Sequence, residues 1–210
     1  MDASLNAVIE KRINKTIGNL QNNKMDAYYA KTCKDAIKLI NELCAEGESV
    51  ALGGCVTLFE SGVIDHLRSG KYQFYDRYAP EADVNQIYRQ SFSCDTFFTS
   101  SNAITEQGEL YNVDGNGNRV AAMIFGPKSV IVVAGYNKIV PDLEAARQRV
   151  RNTAAPANAT RLDKKTPCKI LGSCQNCQSD ERICAHYVVQ AQQMTKGRIK
   201  VILVGEQLGY

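Results

Sequence analysis

SVALGGCVTLFE (residues 49–60) packs an apolar run, a glycine pair and the opening of a helix into one short stretch. Residues 49–52 read as a strand, and Gly53-Gly54 as the turn that leaves it. Thr57 and Glu60 have capping-box spacing, so each side chain is expected to bond the other's backbone N–H. The same order recurs downstream, with a strand at 72–75, a helix at 81–92 and a strand at 96–99. Residues 130–134 (VIVVA) form a continuous apolar strand, the pattern of a strand covered by helices on both faces. Strands alternating with helices are joined by right-handed crossovers into parallel sheets. The expected fold is therefore α/β, a three-layer arrangement of a mostly parallel sheet flanked by helices.

Outward from this core, apolar residues at three- and four-residue steps (Leu5, Val8, Ile9, Ile13, Ile17, Leu20) predict an amphipathic helix over 5–20. Tyr29, Cys33, Ile37, Ile40 and Cys44 predict a second over 26–45. Residues 109–113 read as a strand returning from a turn at Gln107-Gly108. A helix over 120–125 is ended by Gly126-Pro127, since proline cannot continue it. Pro141 opens another, with Asp142 and Glu144 in its first turn. Residues 151–165 are rich in Ala, Pro, Asn and Thr and read as irregular, and 198–204 as a last apolar strand. The chain is expected to be one domain over 1–210: N-terminal helices at 1–46, an α/β core at 47–160, a cysteine knuckle at 161–190 and the closing strand.

The 210 residues are 44% apolar and 22% charged, an ordinary globular balance, and no run approaches the roughly 20 apolar residues that span a bilayer. A net charge of +3 is dispersed and no basic block is interleaved with aromatics, which argues against nucleic acid as a partner. The first residues lack a basic-then-apolar leader, so a cytoplasmic location is expected and no membrane association. In a reducing compartment the eight cysteines would persist as thiols. Cys33, Cys44, Cys55 and Cys94 stand apart in apolar surroundings, as small core residues do.

Cys168, Cys174, Cys177 and Cys184 instead crowd one segment, TPCKILGSCQNCQSDERIC, with a Cys-x-x-Cys at its centre. That spacing lets two thiolates approach one metal from a tight turn, while Lys169 and Arg182 offset their charge. Zinc and an iron–sulfur cluster both accept four thiolates, and the spacing does not separate them. Ordinary solvated thiols or a redox pair are the alternatives. No nucleotide cofactor is assigned. His66 reads as a boundary residue, and His186 as either a substitute metal ligand or a solvated helix start.

Two further segments are candidates for binding. Gly53 and Gly54 leave room for a ligand to approach the backbone at a strand end, with Thr57 adding a hydroxyl, although a plain tight turn accounts for the same residues. The segment SSNAITEQGELYNVDGNGNRVA sets Asn102, Thr105, Glu106, Asp114, Asn118 and Arg119 among Gly108, Gly115 and Gly117. Glu106, Asp114 and Arg119 are the candidate catalytic residues: the carboxylates as acid, base or nucleophile, the arginine as a clamp for carboxylate or phosphate. Local Asn and Asp turns would explain the same composition without a ligand.

From residue 100 onward, NAIT-E-x-G-x-L-x-N-x-D-G-x-G-N-R followed by GPK-x-VIVVAG-x-NKIV resembles the LUD (lactate-utilisation) domain family. The tail, with TPC, G-x-C-x-x-C, ER-x-C and VILVGEQLG, resembles one branch of it. GGCVTLFESGV is similar to the family's first glycine turn, with Cys55 where a small hydroxyl residue is expected. The resemblance implies a fold similar to the sugar-phosphate isomerase, CoA-transferase and folate cyclo-ligase group, with a ligand site at strand ends. It also implies a link to lactate oxidation, and larger family members carry iron–sulfur motifs. It transfers no catalytic residue. The leading expectation is a protein, enzyme or accessory, that binds a small anionic metabolite between the Gly53-Gly54 turn and the 102–119 loop. Its rivals are an iron–sulfur electron-transfer or redox subunit working with partner oxidoreductase subunits, and a zinc-stabilised structural or interaction domain.

Overall fold

A computed structural model of the chain describes residues 2–210. Its elements run α1 (Ala3–Asn22), β1 (Asp26–Ala30), α2 (Cys33–Leu43), β2 (Ser49–Leu52), α3 (Val56–Glu60), α4 (Val63–Leu67), β3 (Gln73–Tyr75), α5 (Val84–Gln90), β4 (Thr96–Thr99), β5 (Ala103–Thr105) and β6 (Leu110–Asp114). They continue with α6 (Asn118–Ile124), β7 (Ser129–Gly135), a 3-10 turn (Tyr136–Lys138), β8 (Ile139–Val140), α7 (Leu143–Arg149), a π turn (Val150–Ala154), α8 (Ala155–Arg161), α9 (Pro167–Leu171), β9 (His186–Gln190) and β10 (Ile199–Val204).

Six strands form an all-parallel sheet in the order β1-β10-β7-β4-β2-β3. Strand β7 shows why it needs helices on both faces. Val130, Val132 and Ala134 point into a core shared with Ile13 and Leu20 of α1 and Met123 of α6, while Ile131 and Val133 point into one shared with Ile40 of α2 and Leu58, Ile64 and Leu67 of α3 and α4. Each such side chain contributes about 1.5–3 kcal/mol on leaving water, so the three layers expected from the sequence follow from the alternation of one strand. Among the described residues no helix is long and apolar enough to cross a membrane.

A second, four-stranded sheet (β8-β5-β6-β9) stands beside the first, with β5–β6 and β6–β9 antiparallel and β5–β8 parallel. Three expectations change here. Residues 26–30 are a strand rather than the start of a helix: β1 pairs in parallel with β10, and Thr32 caps α2 by accepting from Asp35 N, so the helical spacing begins only at Cys33. Residues 151–161 are helical, continuing α7 through a π turn that accommodates Pro156, whose ring and missing N–H would break a regular helix. His186 begins the edge strand β9 rather than a helix.

Helix α1 is fastened to the β5–β6 hairpin. Arg12 and Lys15 both hold the Glu106 carboxylate, at 2.9 and 2.8 Å, and Asn19 Nδ2 donates to Glu106 O. Gly108, at φ +83°, lies so close to the helix that a Cβ would stand 2.5 Å from Asn19 C and Leu20 N. Gly108→Ala thus combines left-handed strain with overlap against fixed backbone. We expect it to destabilise the protein by about 2 kcal/mol or more, seen as a lowered urea midpoint with an unchanged m-value.

Candidate functional site

In the large sheet the chain passes from β2 to β3 on one side, and its next sheet strand, β4, lies on β2's other side. Connections leaving neighbouring strands in opposite directions open a crevice at the carboxyl ends of those strands, where open α/β sheets bind ligands. The crevice here is a chamber of about 80 Å³, reached by Gly54 and Cys55 after β2, Ser100 to Asn102 after β4, and Lys138 after β7. Asp114, Arg119, Asn158 and Tyr210 complete its wall. Since an apolar cavity of about 150 Å³ admits benzene, this chamber accepts the end of a ligand, of carboxylate size.

Arg119 is buried in the wall and owes its position to a glycine. A Cβ on Gly53 would come within 2.8 Å of Arg119 Cγ and 2.9 Å of Cδ. The guanidinium has five N–H donors, and the protein takes all of them. Nε donates to Asp114 Oδ1 (2.9 Å), and Nη1 to Ser100 O (3.0 Å) and Asn112 Oδ1 (2.6 Å). Nη2 donates to Asn102 Oδ1 (3.0 Å) and Val113 O (3.2 Å), and lies 2.6 Å from Asp114 Oδ1. The other Asp114 oxygen accepts from Val120 N, and Asn102 Oδ1 also accepts from Val113 N. Arg119 therefore sets the shape and field of the site, and the clamp expected from the sequence has no free donor.

Lys138 supplies what Arg119 does not. It is 2% exposed, makes no ion pair among the described residues, and donates from Nζ to Thr57 Oγ1 (2.8 Å) and Ser100 Oγ (2.9 Å). An ammonium has three N–H bonds, so one is left without a protein acceptor at the chamber. Burial pushes its pKa down to about 7, with the Arg149 and Arg119 charges acting in the same direction. Such a lysine can hold an oxyanion when protonated and exchange a proton near neutral pH. The Cys55 thiol shares the chamber. Burial pushes its pKa up and Lys138 opposes that shift.

Of the residues singled out in the sequence, Gly54, Asn102, Asp114 and Arg119 line the chamber, Gly53 packs behind the Arg119 stem, and Gly115 and Asn118 line the adjoining groove. Gly117 caps α6 at φ +78°. Thr57 reaches the site through Lys138 rather than as a capping residue: the N-cap of α3 is Cys55, without a side-chain bond, and Glu60 accepts from Gly209 N instead. Thr105 and Glu106 lie elsewhere, Thr105 bonded to Glu109 and Glu106 occupied by α1. Lys138, Ser100, Asn158 and Tyr210 were not anticipated. Lys138 did leave a signal, as a single charge in VIVVAGYNKIV, a run otherwise fit only for the interior.

The cysteine segment lies along the same loop, with Ala185 N donating to Asp114 O and Cys174 N to Arg151 O of the π turn. Cys168 is buried with Sγ 3.3 Å from Thr166 Oγ1. Arg182 donates to the carbonyls of Cys177 and Cys184, and Lys169 pairs with Asp163. Among the described residues no three His, Cys, Asp or Glu side chains converge as a metal-holding group.

The fold and crevice define an α/β protein with a polar chamber at the carboxyl ends of its parallel strands. The LUD domain model matches residues 13–204, and the chain belongs to the LUD domain family. Among solved structures it is similar to a DUF162 family protein from Deinococcus radiodurans, with 13% identity, a TM-score of 0.54 and coverage of 95% of this chain and 98% of that one. At that identity the likeness speaks for the fold. No curated protein matches the chain significantly.

Removing a buried ion-pair partner leaves an uncompensated charge and costs about 3–5 kcal/mol. If Arg119 is scaffold, Arg119→Met should lose stability on that scale in urea unfolding. A clamp held only for a ligand would leave the midpoint of the free protein nearly unchanged.

Proposed function

We propose that this protein binds the carboxylate of a small metabolite in the strand-end chamber, with Lys138 as the direct cation and Arg119 as the fixed positive wall. The observation that carries this reading is Lys138 itself, buried and without a carboxylate partner. Burying an unpaired ammonium is costly, and an incoming anion offsets that cost. The size of the chamber favours a short acid, and the family's link to lactate utilisation makes two- and three-carbon 2-hydroxy and 2-oxo acids the first ligands to test.

Titration calorimetry with glycolate, lactate and pyruvate tests it. At least one should bind wild type, and Lys138→Met should weaken it by about tenfold or more, the scale of a hydrogen bond to a charged group. If none of the three binds, the reading fails. The pH dependence follows from the sign of the shift. The folded-state pKa of Lys138 is lowered to about 7, so the protonated, anion-binding form prevails below neutrality and is lost above it. Affinity should be flat in mild acid and fall by about tenfold per pH unit above pH 7. Lys138→Met should abolish that slope.

A further inference from the structure

The small chamber adjoins a groove of about 490 Å³, and the two share Gly54, Val113, Asp114, Arg119 and Asn158 in their walls. The groove is lined by five cations and three carboxylates. Asp114 is spent on Arg119, Glu181 accepts from Lys165 N, and Asp180 is exposed and, among the described residues, in no ion pair, which leaves the five cations in excess of the carboxylates. Arg182 is spent on the carbonyls of Cys177 and Cys184. Arg77, Arg161 and Lys164 remain, and among the described residues none of them is paired with a carboxylate.

Their placement is built. Arg77 donates from Nη2 to Tyr88 OH (2.7 Å), its guanidinium carbon stands 4.8 Å from the Tyr88 ring centroid and 5.4 Å from that of Tyr78, and its buried Nε has no partner. It lies against Gly54, where a Cβ would come within 3.1 Å of both Arg77 Nη1 and Tyr78 OH. Each glycine of the pair after β2 therefore makes room for one arginine, Gly53 for Arg119 inside and Gly54 for Arg77 outside. Arg161 is oriented from Nε and Nη2 by the Asn158 oxygen and lies beside the Tyr210 hydroxyl, and among the described residues Lys164 makes no side-chain hydrogen bond.

We infer that the groove is a phosphate subsite and that the ligand is a phosphorylated small carboxylate, its carboxylate at Lys138 and its phosphate among Arg77, Arg161 and Lys164. The carboxylate half of this assignment rests on the function proposed above, and the phosphate half stands on the groove. Two arginines and a lysine without acid partners offer a cluster of charge-assisted donors suited to a phosphate dianion. The chamber is too small for a whole ligand of this kind, and the groove is large enough for the remainder.

Calorimetry below neutral pH and at low salt separates the two halves. The probes are glycerate against 3-phosphoglycerate, gluconate against 6-phosphogluconate, and inorganic phosphate alone. The proteins are wild type, Lys138→Met, Arg77→Gln/Lys164→Gln and the exposed single variant Arg161→Gln, each checked for folding by its thermal midpoint. In at least one pair the phosphorylated acid should bind wild type about tenfold or more tightly. The double variant should remove that advantage while leaving the unphosphorylated acid unchanged, and Arg161→Gln should reduce it. Inorganic phosphate should bind Lys138→Met as well as wild type and should not bind the double variant. Equal affinities within both pairs would overturn the inference, as would an advantage that survives in the double and single variants, or phosphate binding that depends on Lys138. Phosphate binding with the expected variant pattern, but no binding of any unphosphorylated acid, would sink the carboxylate reading and leave the phosphate subsite standing.

Discussion

The guanidinium of Arg119 is the joint of the molecule. It rises from α6 and bonds the carbonyl after β4 in the large sheet, then Asn112, Val113 and Asp114 of β6 in the small one. The two sheets share a core through Ile104, Leu110 and Ile139, and this buried cation ties them again at the strand ends. A buried charge is stable only when its donors are satisfied, and here satisfaction requires Asn102, Asn112 and Asp114 at fixed places together with a residue without Cβ at position 53. The polar segment from 102 to 119 has that composition because it must build a socket.

With Arg119 saturated, the chamber's remaining buried cation is Lys138. Its neighbours are hydroxyls, those of Thr57 and Ser100, which orient an ammonium without neutralising it. A carboxylate in their place would have held the pKa high and filled the site. Hydroxyls leave the lysine near its titration point and short of a counter-charge, a state the fold sustains because the strand ends of β2, β4 and β7 bury it from several sides.

Much of the fold was legible in the sequence because it is written in local periodicity. The strands at 49–52 and 96–99 and the apolar run of β7 declare themselves, and so do the glycine breaks between them. What escaped depends on distant partners. Residues 26–30 carry a strand only because β10, far along the chain, offers an edge, and residues 151–165, read as irregular, continue α7 as helix as far as Arg161. The candidate site was half legible for the same reason. Glycines and the Asn102–Arg119 polar set mark a built loop, but which of them face a ligand depends on hydrogen-bond saturation. Glu106 shows the limit: it stands four residues from Asn102 and yet belongs to α1, because Arg12 and Lys15 claim it.

The glycine pair after β2 brings these points together. A tight turn explains two glycines without reference to anything else, and neither Gly53 nor Gly54 has the positive φ that would demand one. What demands glycine is side-chain volume: the Arg119 stem over Gly53, and the Arg77 head with the Tyr78 hydroxyl over Gly54. The turn is bare because two arginines arrive at it from different parts of the chain, one to be locked by the protein and the other left short of acid partners. That asymmetry divides the crevice into an inner part, whose shape is fixed by saturated hydrogen bonds, and an outer part whose cations outnumber its carboxylates.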